Sequence, residues 1–105
     1  MAKLKANTAK KPHRMDPVVR AAFAGVIREL RLKLNLSQKR VAELSGYSEE
    51  YIGKLERREH TPSYTAAIML SLAVQQDPAD TVNRVRSLMP RFKRLEGKDH
   101  ETADF

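Results

Sequence analysis

At 105 residues the chain has room for one domain and not for a second. Lys and Arg outnumber Asp and Glu by 20 to 13, giving a net charge of +7 and an isoelectric point near 10.0. Such a balance draws a protein toward an anionic partner, either nucleic acid or an acidic membrane surface. Cysteine is absent, which excludes disulfides and thiolate zinc sites, and no run of about 18 apolar residues exists to span a membrane. The basic N-terminus MAKLKANTAKKPHR lacks the apolar centre of a signal peptide, so a cytoplasmic protein is expected.

The charge is unevenly placed. Residues 1–20 carry Lys3, Lys5, Lys10, Lys11, Arg14 and Arg20 against Asp16 alone. Residues 1–15 are also poor in large apolar side chains and read as a basic, disordered arm. From Asp16 onward the sequence is a series of capped helical segments. Asp16-Pro17 offers an N-cap followed by proline at the first helical position. Behind it Val19, Phe23, Val26, Ile27, Leu30 and Leu34 recur at three- and four-residue spacing, with Asn35 as the stop. Ser37 caps a second helix whose apolar face is Val41, Ala42 and Leu44. Gly46 stands where a helix ends in the left-handed conformation, which glycine adopts without steric cost.

Ser48 caps a third helix, with Glu49 and Glu50 in its first turn where the macrodipole favours them and Ile52 and Leu55 facing inward. HTPS leads into a fourth helix bearing Ala67, Ile68, Leu70, Ala73 and Val74. Asp77-Pro78 repeats the opening signature before a fifth helix lined by Val82, Val85, Leu88, Met89 and Phe92. No segment alternates with period two, so the fold class is all-α. The expected organisation is an arm over 1–15, a five-helix domain over 16–94 and a short flexible tail over 95–105.

Two short helices joined at Gly46 by so tight a turn make a helix-turn-helix, centred on about residues 37–57. The stretch LSQKRVAELSGYSEEYIGKLERREHTPS resembles the helix-turn-helix of the phage-repressor and Cro family of DNA-binding proteins, the XRE type. The likeness rests on Ile27, Leu30, Arg31, Leu36-Ser37-Gln38, Val41-Ala42, Gly46, Ser48, Tyr51-Ile52, Leu55-Glu56-Arg57 and Pro62-Ser63. It implies a five-helix lambda-repressor-like domain whose third helix enters the major groove of double-stranded DNA.

Matched position by position, the resemblance assigns base reading to Glu49, Glu50, Gly53 and Lys54. It assigns phosphate contacts to Gln38, with Lys39, Arg40, Arg57 and Arg58 around it. Arg31 and Glu56 match an ion pair that joins the first helix to the recognition helix. Two departures stand out: Arg58 replaces the glycine that commonly ends the recognition helix, and Gly53 lies inside that helix. The arm lysines Lys3, Lys5, Lys10 and Lys11, with Arg14, are expected to follow the DNA backbone or the minor groove.

Val82, Val85, Met89 and Phe92, widened by Leu88, form a helical seam, and Met69 and Leu72 add apolar residues at places usually polar in the family. Together they are the expected homodimer interface. The function expected is a sequence-specific transcriptional regulator, a homodimeric repressor or autoregulator on an inverted repeat, nucleoid-associated when bound. A protein-interaction module, such as an antitoxin or coactivator-type scaffold, is the alternative. His13, His60 and His100 have no metal-ligand spacing, and Ser37, Ser48 and Ser63 are helix caps rather than nucleophiles. No enzyme activity, metal, cofactor, membrane association or small-molecule ligand is therefore expected.

Overall fold

The starts of the helices and the ends of the first four are set by short-range interactions that can be named. The computed structural model describes residues 13–99, and its elements are α1 (Asp16–Lys33), α2 (Gln38–Ser45), α3 (Glu49–Glu56), α4 (Tyr64–Ala73) and α5 (Pro78–Asp99). Ser37, Ser48 and Ser63 cap α2, α3 and α4, each hydroxyl accepting from the backbone N–H three residues on, those of Arg40, Tyr51 and Ala66. Asp77 does the same for α5, its carboxylate accepting from the Ala79 N–H at 2.8 Å with Pro78 at the first helical position. Asp16 does not: the helix already includes it, Met15 occupies the cap position without a side-chain bond, and His13 supplies the local acceptors instead. The same dipeptide thus caps one helix and not the other.

The ends of α1, α3 and α4 share one device. In each, a residue in the left-handed region follows the last turn: Asn35 (φ 57), Arg58 (φ 67) and Gln75 (φ 60). Around Arg58 the N–H of Glu59 reaches the Lys54 carbonyl at 2.9 Å and that of Arg58 reaches Leu55 at 3.0 Å, a paired closure repeated at Asn35 and Gln75. Arg58 therefore ends α3 in the conformation a glycine would adopt. Only asparagine among the three tolerates that conformation well. Replacing Gln75 by glycine should raise stability by about 0.5–1 kcal/mol, read as a higher melting temperature. Arg58→Gly should gain less, because it also removes the guanidinium that sits 5.0 Å from the Phe92 ring centre.

The core lies where α1, buried through Ala22, Phe23, Val26 and Ile27, meets the inner faces of the other four helices. Val41 and Ala42 of α2, Ile52 and Leu55 of α3, Leu70 and Val74 of α4 and Val85 of α5 complete it. Leu34 and Leu44, read as inward-facing, are 37% and 44% exposed. On so short a helix as α2 the buried side is taken by Val41, Ala42 and Ser45, which leaves Leu44 to one flank.

The fifth helix needs the largest correction. Val85 is a core residue, and Leu88, Met89 and Phe92 pack against the core, so most of the seam read as a dimer interface closes the monomer. Val82 (61% exposed) and Leu72 (54%) stay outside, with Met69. The helix also runs on through Pro90 to Asp99, into the stretch read as tail from residue 95. Pro90 removes one ladder bond without ending it. Residues 1–12 and 100–105, with Lys3, Lys5, Lys10 and Lys11, lie outside the described residues; Arg14 is described and exposed.

Candidate nucleic-acid interface

The turn between α2 and α3 is three residues long because each of them does a separate job. Gly46 takes φ 86, and its N–H closes α2 on the Ala42 carbonyl. Tyr47 folds over the corner and stacks on Tyr51 with ring centres 4.9 Å apart, and Tyr51 in turn stacks on His60 at 5.7 Å. Burial and then repulsion from Tyr47 push the Tyr51 phenol above its ordinary range, so it stays neutral. Ser48 starts the next helix at once. With Ile52 and Leu55 turned inward, α3 presents Glu49, Glu50 and Lys54 to solvent, and Arg57 follows at its C-terminal cap.

Beneath this face the helix is bolted to α1 by a buried cluster around Glu56. The Arg31 guanidinium donates from Nε to Glu56 Oε2 at 2.7 Å and from Nη2 to Oε1 at 2.9 Å, with side chains only 10% and 5% exposed. Its third donor, Nη1, reaches the Leu36 carbonyl at 2.9 Å, which fixes the chain between α1 and α2. Its hydrogen bond to Glu56 holds the Arg31 pKa above its already high value, so the guanidinium stays charged. Gln38 joins the cluster, its amide donating to Glu56 Oε1 at 3.0 Å. One carboxylate thus ties together α1, α2 and α3.

That bond positions Gln38 rather than consuming it. The amide nitrogen has a second hydrogen to donate, and the first N–H groups of a helix have no partner within it, a chemistry suited to phosphate. Gly53 lies directly alongside and is buried. A Cβ there would meet Arg57 Nη1 at 3.1 Å and Gln38 Oε1 at 3.6 Å, so the missing side chain is what lets these two close over the helix. What Gly53 presents is backbone, not a reading side chain. Gly53→Ala should raise stability by up to about 1 kcal/mol, because the obstructing atom is the mobile tip of an exposed arginine. A fall in melting temperature would mean that Arg57 cannot move.

The outward cations are held in surface pairs. Lys54 Nζ lies 3.6 Å from Glu50 Oε2, Arg40 Nη1 lies 3.1 Å from Glu43, and Arg57 Nε lies 2.9 Å from Glu59. Its hydrogen bond to Arg57 keeps the Glu59 carboxyl below the ordinary carboxylate range. Such exposed pairs are weak and exchange readily for a phosphate or a base edge. Lys39 is exposed on α2, and Arg58 leans over Phe92 at the far end of α3. Among the described residues there is no cluster of metal-ligating side chains and no helix long and apolar enough to cross a membrane.

A helix-turn-helix family model matches residues 27–79, about half of the chain. The chain belongs to that family, the phage-repressor type of DNA-binding regulator. Among its relatives is the control protein C.SmaI of Serratia marcescens, 36% identical over 56 residues that cover 53% of this chain and 67% of that protein. Two crystal structures of the clp gene regulator ClgR from Corynebacterium glutamicum superpose with TM-scores of 0.64 and 0.63. They share 22% and 23% identity with this helix-turn-helix protein, cover 78% and 75% of it, and are themselves covered over 94% and 96%. At that identity they speak for the fold alone.

Proposed function

We propose that the protein is a sequence-specific transcriptional regulator that binds an inverted DNA repeat as a homodimer and acts as a repressor or autoregulator. The observation that carries this reading is the Glu56 cluster, which locks the recognition helix and the phosphate-facing start of α2 into one rigid unit. Such pre-organisation suits groove recognition, because the reading side chains are then displayed on a fixed element. Glu50 and Lys54 read base edges, with Glu49 at the helix start. Gln38, Lys39, Arg40, Arg57 and Arg58 hold the backbone, and the basic arm, including Arg14, adds sequence-independent attraction. The likeness to a protein named a control protein supports a role in transcription. A mobility-shift assay on the DNA flanking its own coding region, with excess nonspecific competitor, tests the reading. A retained complex is expected; loss of all binding would favour the protein-interaction module instead.

The dimer, in this reading, uses the apolar residues that the monomer leaves uncovered: Met69 and Leu72 on α4 and Val82 on α5. Val82→Glu combined with Leu72→Glu should leave the monomer folded, since both side chains are exposed on it, while shifting sedimentation to a 12.0 kDa species. Full retention of a larger species by that variant would place the interface elsewhere.

A further inference from the structure

We propose that Arg28 of α1 is a DNA-backbone contact, extending the footprint beyond the helix-turn-helix to the cleft between α1 and α3; the proposal rests on the DNA-binding reading above. The cleft, about 670 Å³, is bordered by Arg28 on one side and by Gln38 and Arg57 on the other. The sequence pattern that marks α2 and α3 passes over Arg28, which lies 28 residues before Glu56 and belongs to no recognised spacing.

The charges in this cleft do not cancel. Glu29 is taken by Arg84 of α5 at 2.8 Å, and Glu59 by Arg57 at 2.9 Å. Glu56 is matched by Arg31 at 2.7 Å and accepts from Gln38 as well. Arg28 stands 3.9 Å from Glu56 with 62% of its side chain exposed, a long outer pair with a carboxylate whose single charge Arg31 already matches at 2.7 Å. Its guanidinium is therefore surplus positive charge displayed beside the start of α2; that of Arg58, which lines the far end of the cleft over Phe92, is surplus as well.

The space in front of it is also open. Ala24 and Gly25 form the floor, and a Cβ built on Gly25 meets nothing within 4 Å. Packing does not require a glycine inside this helix, and alanine would favour the helix. A bare helix surface next to a surplus guanidinium and a fixed amide accommodates a phosphate and its sugar, for which Arg is well shaped.

The test compares wild type, Arg28→Gln, Arg28→Lys and Arg86→Gln on one random-sequence duplex between roughly 50 and 200 mM salt. Arg86 is the control, exposed on α5 beside a separate apolar groove. For Arg28→Gln the slope of log K against log salt should lose about 0.9 per protomer, so its deficit against wild type shrinks about three- to four-fold across that range for each protomer bound, roughly twelve-fold for a dimer. Arg28→Lys should keep the slope and Arg86→Gln should match wild type. A merely structural role for Arg28 would lower the melting temperature and leave the slope intact, which overturns the proposal. If wild type binds and Arg28→Gln equals it, this contact alone falls. If wild type forms no salt-dependent complex with any duplex, the DNA-binding reading falls with it.

Discussion

Replacing Glu56 by alanine should cost about 3–5 kcal/mol, a large share of the stability of a domain this size. The reason is less the attraction lost than the charge left behind. Arg31 is 8% exposed and cannot be deprotonated, so without Glu56 it stays buried with the Leu36 carbonyl as its remaining partner. Gln38 loses its acceptor in the same step. Arg31→Ala should be the milder change, because Glu56 keeps the Gln38 donor and has Arg28 within 3.9 Å to move in. The double mutant should be less destabilised than the sum of the singles by about 2 kcal/mol, within the range seen for coupled neighbours. Thermal melts of the three variants decide it. Additive losses below about 1 kcal/mol would reduce the pair to ordinary surface charges.

The second large effect is expected in binding rather than stability. Truncating Lys54 to alanine should cost about 1–3 kcal/mol on the preferred operator and relax selection at one base position in each half-site. Lys54 stands on the outward face of α3, and its present partner Glu50 is exposed and 3.6 Å away, so the ammonium is available to a guanine edge at little cost. Arg57 lies almost one turn further along, next to Gln38 across Gly53, at the side proposed to hold the DNA backbone. Arg57→Ala should therefore weaken binding to all sequences by a similar factor. Selection from a randomised site separates the two outcomes. If Lys54→Ala leaves both affinity and selected sequence unchanged, α3 does not read DNA through this face.

Which of these residues could be found without coordinates follows a physical division. The helix starts were legible because a cap is a contact between neighbours: Ser37, Ser48, Ser63 and Asp77 each bond within three residues of themselves. Gly46 was legible because only glycine adopts φ 86 without cost. Asp16 carries the same local signal as Asp77 and yet does not cap, because the preceding turn at His13–Met15 already continues into the helix. The departure at Arg58 was visible as a missing glycine, but its outcome was not: the closure bonds at Lys54 and Leu55 outweigh the backbone cost of a left-handed arginine.

Taken alone, the sequence determined an all-α chain, the order of its five helices and the tight turn at Gly46, since these rest on periodicity and near-neighbour chemistry; the DNA-binding family was legible only as a resemblance at matched positions. Tertiary structure decided everything that depends on which surface covers which. The seam on α5 has the same 3, 4, 3 spacing whether it meets a second chain or its own core, and only packing put Val85 in the core, laid Leu88, Met89 and Phe92 against it and left Val82 outside. The joining of Gln38 to Glu56 across 18 residues, and the surplus charge of Arg28 beside them, have no spacing signature at all. They arise because one buried carboxylate has few lone pairs, and the fold decides which donors reach them first.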